Sequence, residues 1–273
     1  GRTAKISCTL PEAVGAIEVG QPVLFDDGSI AARAYCRHTT PEGHTEVGLE
    51  ITRARPEGTN LAAYKGINLP QTDLPLPSLT GEDIEAFRFV AAHGDIANVS
   101  FIRNAEDVAF VLATLERIAE ESEDPERVRN LGIVLKIETI PAYENLCGVL
   151  LEGMRHPNLG VMIARGDLAV ELGFERMAEV PRLIAQMAEA AHVPTVMATQ
   201  VLENMAKSGL PSRAEITDAG YALRSEAVML NKGPHITDAI RILHRLSTKL
   251  GRSQRKTRQL LRRIGSWVPD GNE

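Results

Sequence analysis

The stretch Gly160-Val161-Met162-Ile163-Ala164-Arg165-Gly166-Asp167-Leu168 decides how the chain folds. Residues 160–164 form a compact apolar run of strand length that stops on a charged, glycine-containing turn, and an amphipathic stretch follows at 174–191. The same alternation recurs on both sides. Upstream, apolar runs at 96–101 and 132–138 lead into helix candidates at 105–121 and 142–155. Downstream, 195–198 leads into 201–207 with 213–223, and 227–230 into 237–249. Within 105–121, Val108, Val111, Leu112 and Leu115 keep the spacing of a buried helical stripe. Five successive βα units predict a parallel sheet with helices outside, either a β/α barrel or an open doubly wound sheet. Neither a glycine-rich dinucleotide turn nor a P-loop occurs, which argues against a nucleotide-binding open sheet. Polar residues follow the strand C-termini, where a barrel carries its site. The expected fold class is α/β, a partial TIM-type (β/α)8 barrel, because five units cannot close eight strands.

The character of the chain changes near residue 66. Before it, short β-branched and apolar runs at 5–10, 23–25, 30–36 and 46–52 alternate with the turns Asp26-Asp27-Gly28 and Thr40-Pro41-Glu42-Gly43. That pattern predicts a small antiparallel β unit. At the other end, residues 245–263 hold eight basic residues and no acids, with Leu246, Leu250, Leu260, Leu261 and Ile264 at roughly helical spacing. A terminal amphipathic helix with a solvated basic face is the expectation there, and an anionic-surface contact is the alternative. The organisation is therefore 1–66, a β-rich segment; 67–250, a β/α segment with the site; and 251–273, a basic amphipathic tail.

Composition narrows the function. With 44% apolar residues over 273 positions the chain can bury a full core. A net charge of −6 argues against a globally basic nucleic-acid binder. The apolar runs are too short for a membrane span, which takes about 20 residues. Three scattered cysteines, Cys8, Cys36 and Cys147, fit reduced thiols in a cytoplasmic protein. No histidine pair has zinc-ligand spacing and no CxxC occurs, which argues against zinc. No signal-like start is present, and the first residue is Gly1, so the natural N-terminus is expected to lie upstream.

Three groups of residues could carry chemistry. In Leu135-Lys136-Ile137-Glu138, period-two geometry puts Lys136 and Glu138 on one face of the strand. Charges facing a barrel interior are costly unless used, and a salt bridge at the rim accounts for them equally well. In Arg165-Gly166-Asp167, Gly166 allows backbone amides to face an anionic oxygen, and Asp167 is a hard donor for Mg²⁺ or Mn²⁺. Gly-Asp is also an ordinary turn or N-cap. Glu138 and Asp167 on adjacent strand ends would give the two carboxylates that Mg²⁺ takes. Thr199, in Met197-Ala198-Thr199-Gln200, could bond a substrate or relay a proton, although an N-cap role is slightly favoured.

These segments resemble one family in order along the chain. The run Val161–Glu171 is similar to the pyruvate kinase segment around its metal aspartate, and Lys136-Ile137-Glu138 resembles that family's catalytic-lysine strand. Ala198-Thr199-Gln200-Val201-Leu202 resembles its active-site threonine segment, and Ser212–Asp218 and Ala227–Leu230 continue the match. Upstream, Phe25–Gly28, Lys65–Pro70 and Ser100–Arg103 resemble the lid-domain exit and the fourth barrel strand. The resemblance implies that residues 1–66 end a lid domain and that strands four to eight of the barrel follow. It implies phosphoryl transfer from phosphoenolpyruvate to ADP, giving pyruvate and ATP, in cytoplasmic glycolysis. Lys136 would neutralise the transferring phosphoryl group. Glu138 and Asp167 would hold Mg²⁺ or Mn²⁺, and the amides of Gly166 and Asp167 would receive the substrate carboxylate. Thr199 would stand by the enolate, and Lys65 would approach the nucleotide phosphates. A K⁺ requirement is also implied, with its ligands outside this chain, as is a homo-oligomer through Ser212–Asp218.

The match departs from the pattern in four places. The first three barrel strands and the regulatory C-terminal domain have no counterpart here, so the chain alone is expected to be inactive and without the usual allostery. Asn231-Lys232-Gly233-Pro234 stands where the family has Ser-Gly-Glu-Thr, and Ala169 replaces a usual glycine. A metal-dependent lyase or aldolase acting on phosphoenolpyruvate or 2-oxo acids is the alternative function. Glu138 and Asp167 do not separate it from the kinase, whereas Lys65 does, because an aldolase has no nucleotide to cover. A catalytically silent relative is the third possibility, against which the joint retention of Lys136, Glu138, Asp167 and Thr199 argues.

Overall fold

The computed structural model describes residues 4–250, and the expected tail at 251–273 lies outside the described residues. The chain divides into two compact units, Gly1–Pro77 and Ser78–Glu273.

The first unit contains a short helix, α1 (Pro11–Ala16), and four strands, β1 (Pro22–Phe25), β2 (Ile30–Thr39), β3 (Thr45–Arg53) and β4 (Ile67–Asn68). They form an antiparallel sheet in the order β3-β2-β1-β4. The β1–β2 hairpin turns through Asp26, Asp27 and Gly28, all at positive φ, a conformation that Asp and Gly tolerate. Val23, Phe25, Ile30, Ala32 and Ala34 make the core of this unit. The stretch 5–10, expected as a strand, is irregular and mostly exposed. It joins no ladder of the sheet, and Pro11 starts a helix directly after it.

The second unit opens with α2 (Gly81–His93), β5 (Ile96–Val99), α3 (Ala105–Glu120), α4 (Pro125–Arg129) and β6 (Gly132–Ile137). It continues with α5 (Ile140–Glu144), α6 (Leu146–Gly153), β7 (Leu159–Ala164), α7 (Arg165–Leu172) and a 3₁₀ turn at Phe174–Ala178. The last elements are α8 (Val180–Ala190), β8 (Thr195–Val201), α9 (Glu203–Ser208), α10 (Arg213–Ala222), β9 (Ala227–Leu230) and α11 (Ile236–Leu250). Five parallel strands in the order β5-β6-β7-β8-β9 form a curled half-barrel sheet. The expected α/β fold class and partial barrel are what the chain forms.

Strand alternation sorts the two faces. Ile133, Leu135 and Ile137 of β6, with Val161 and Ile163 of β7, are fully buried in the large core shared with the helices. On the opposite face, Val134, Met162 and Ala198 form a small separate cluster. Lys136 lies two residues beyond Val134 on that second face, in register with Met162. The strand that anchors the core therefore delivers a charged side chain to the other side of the sheet. The single helix expected at 142–155 is two, α5 and α6, meeting at Asn145. No helix among the described residues is long and apolar enough to cross a membrane.

Candidate active site

The candidate site is built at the C-terminal ends of the parallel strands. Glu138, one residue past β6, has 0% of its surface exposed. Its Oε1 accepts from the Phe101 amide at 2.8 Å, and its Oε2 lies 2.9 Å from the Lys136 ammonium. That approach is an ion pair without hydrogen-bond alignment, so Oε2 remains a buried oxygen with no hydrogen bond. The Lys136 ammonium also donates to Ser100 Oγ at 3.0 Å. Burial pushes the Glu138 carboxyl above the usual carboxylate range. The Phe101 amide and Lys136 pull it back, while the negative charge of Asp167 raises it further. Asp167 is thus close enough for its charge to be felt at Glu138.

Asp167 is in the first turn of α7, a helix not expected from the sequence that starts immediately after β7, while the single helix expected at 174–191 is the 3₁₀ turn followed by α8. Ala164 precedes the helix and no side chain caps it, so Asp167 is not spent on capping. Gly166 lies against Thr199, and a Cβ at residue 166 would meet Thr199 Oγ1 at 3.1 Å. Thr199 itself is within β8, and its Oγ1 is buried without a hydrogen-bond partner. The N-cap role favoured for Thr199 is therefore overturned: α9 begins at Glu203, after Leu202, with no side-chain cap. Lys136, Glu138, Gly166, Asp167 and Thr199 all belong to one strand-end region, because parallel register sets Ala164 beside Ala198 and Lys136 beside Met162. Lys65 lies in the first unit, where its ammonium is 2.9 Å from Asp26.

Sequence reasoning assigned no role to several supporting residues. Arg165 donates to the backbone oxygens of Ala198 at 3.2 Å and Thr199 at 2.7 Å, and binds both carboxylate oxygens of Asp218 at 2.5 and 2.9 Å. This clamp joins α7, β8 and α10. Its members are up to 53 residues apart, so no local pattern announces it. Ser100 and Phe101 were visible only as part of a matched block. Within the loop Asn231–Pro234, Gly233 has a packing cause: a Cβ there would come within 2.2 Å of Ala206 O. The His235 amide donates to that same oxygen at 2.9 Å, which docks the segment on the end of α9.

The donor set suits a hard cation. A buried carboxylate oxygen without a hydrogen bond, within electrostatic reach of a second carboxylate, is compatible with the one or two carboxylates by which Mg²⁺ is usually held. Among the described residues, no three His, Cys, Asp or Glu side chains converge as a self-contained metal site.

A family model for the barrel domain of pyruvate kinase matches residues 1–234. The chain belongs to the pyruvate kinase family. A pyruvate kinase of Hypocrea jecorina is 33% identical over 240 residues, covering 85% of this chain and 40% of that relative. One from Methylorubrum extorquens is 31% identical over 266 residues, covering 92% and 49%. The crystal structure of a pyruvate kinase from Cryptosporidium parvum shares the fold, with a TM-score of 0.75 at 22% identity over 90% of this chain and 49% of that one. This pyruvate kinase family chain thus spans about half the length of the relatives it matches.

Proposed function

We propose that this chain carries the barrel half of a pyruvate kinase active site, serving phosphoryl transfer from phosphoenolpyruvate to ADP and protonation of the resulting enolate. One observation carries the proposal: an ammonium held between Ser100 and a fully buried glutamate at the C-terminal end of a parallel sheet. Phosphoryl transfer is catalysed mainly by positioning and by positive charge on the phosphoryl oxygens. Lys136 has three donors; Ser100 accepts from one, and the ion pair with Glu138 fixes the ammonium while leaving donor capacity for a phosphoryl oxygen. Glu138 and Asp167 would hold Mg²⁺ or Mn²⁺, which when bound supplies Lewis acidity to the phosphoryl and enolate oxygens. The first-turn amides of α7 at Gly166 and Asp167 suit the substrate carboxylate, since a helix start presents free N–H groups and a positive dipole end. The Thr199 hydroxyl is assigned to passing a proton toward the enolate carbon, a role that its burial beside Gly166 without a hydrogen-bond partner supports.

Lys65 is assigned to the nucleotide phosphates, and residues 1–66 to the end of a lid segment. We place the activity in cytoplasmic glycolysis, which the free thiols of Cys8, Cys36 and Cys147 support. A K⁺ requirement and a homo-oligomer through the Ser212–Asp218 segment belong to the same proposal.

The test uses the full-length polypeptide. Pyruvate release from phosphoenolpyruvate with Mg²⁺ should require ADP, and should fall at least a thousandfold in Lys136→Met and in Asp167→Ala. ADP-independent release, or release surviving both substitutions, would sink the proposal. No turnover with Mg²⁺-dependent binding of oxalate would favour a lyase instead.

A further inference from the structure

The loop between β5 and α3 bends at a residue that resists bending. Phe101 has φ 56°, a left-handed backbone that large side chains avoid. Its ring gains no burial from this, being 59% exposed. The bend instead aims the Phe101 amide at Glu138 Oε1, 2.8 Å away. The preceding residue meets the other half of the ion pair, Ser100 Oγ accepting from Lys136 Nζ at 3.0 Å. Two adjacent residues thus touch the two charges, one each. The far side of the loop is tied down independently. Arg103 donates from its amide and its guanidinium to the buried Asp107, at 2.9 and 2.8 Å. Thr139 Oγ1 donates to Ile102 O at 3.3 Å, and Asn145 Nδ2 to Arg103 O at 3.2 Å.

An ammonium and a carboxylate alone in a buried place lean on each other, and each is then less available to anything else. A polar partner outside the pair counters this, and the loop provides one to each charge. We propose that the Ser100 hydroxyl and the Phe101 amide are positioning groups that hold Lys136 and Glu138 in fixed register. What the positioned pair then does rests on the function proposed above. The left-handed bend at Phe101 is the backbone's contribution to that device.

Lysine-selective nitrogen NMR on the full-length polypeptide reads this directly, because ammonium protons are seen when hydrogen-bonded and shielded from solvent. The Lys136 signal is assigned by its loss in Lys136→Arg. Ser100→Ala should lose or broaden it and lower kcat about tenfold, the scale of one charge-assisted hydrogen bond, with KM for phosphoenolpyruvate changed less than about twofold. Ser100→Thr should restore both the signal and kcat. Phe101→Gly, which accepts the left-handed backbone, should keep them, whereas Phe101→Val should lose about tenfold in kcat. A Lys136 signal absent from the wild type, or unchanged with kcat in Ser100→Ala, would overturn the proposal. So would equal behaviour of the two Phe101 variants. If Phe101→Val does not fold, the Ser100 pair decides. If the wild type lacks phosphoenolpyruvate turnover, the function proposal fails while the NMR comparison still decides the positioning.

Discussion

A buried ion pair is rarely kept for stability alone, because removing two charges from water offsets most of their attraction. Lys136 and Glu138 are such a pair, with the glutamate fully enclosed. Lys136→Met should therefore destabilise the second unit by about 3 kcal/mol, since it strands a buried carboxylate. Lys136→Met combined with Glu138→Gln should recover most of that loss, as a urea-unfolding double-mutant cycle would show; additive losses would contradict the coupling. The Arg165 clamp makes a second prediction. Asp218→Asn keeps the shape but weakens a two-point charged contact, and should cost about 2 kcal/mol in the same assay. Lys136 and Glu138 were legible from strand alternation alone. Their closeness to Asp167 and Thr199 was not, because it depends on the register of β6, β7 and β8. The Arg165–Asp218 contact was invisible for the same reason, and Phe101 because nothing in its identity signals a left-handed backbone.

At the scale of elements, short-range chemistry writes some boundaries plainly. Ser212 and Glu215 form a capping box at the start of α10, and Glu215 also accepts from the Asn204 amide in α9 at 2.5 Å. Burial opposes ionisation of Glu215, but the amides of Ser212 and Asn204 outweigh it and hold the carboxyl below its usual range. A lowered carboxyl contributes stability above its unfolded pKa and loses it as pH falls through the folded value. Glu215→Gln should thus cost about 1–2 kcal/mol at pH 7, and the gap from wild type should narrow at an acid pH below the ordinary carboxylate range. Urea titrations at the two pH values check this, and a gap that widens on acidification would refute it. The five βα repeats stood out because each strand is a compact apolar run. α2 carried a readable Thr80–Asp83 capping box, yet its weakly amphipathic face hid it. α7 was missed because Arg-Gly-Asp reads as a turn, and it starts with no intervening loop. The break between α5 and α6 at Asn145 lacks the glycine that usually marks a helix end, and Pro141 stands at the start of α5 rather than at the break.

On the scale of the whole molecule, each unit has its own apolar core. Leu135, fully buried where β6 meets the helices, is a keystone of the second. Leu135→Ala should cost about 2–5 kcal/mol, seen as a lowered unfolding midpoint. The family and barrel class were legible because several short blocks keep their order across both units, although each block alone says little. The half-barrel also has a physical consequence for handling the chain. Among the described residues, β5 and β9 each have a single strand neighbour, and Ile96 at the start of β5 is 58% exposed. Backbone amides and carbonyls along those two margins are open templates for another strand. Deuterium should enter β5 and β9 well before β6, β7 and β8, and concentrated solutions of this chain should scatter light increasingly with time. Such a chain sets its own ceiling on the concentration at which it stays a single species.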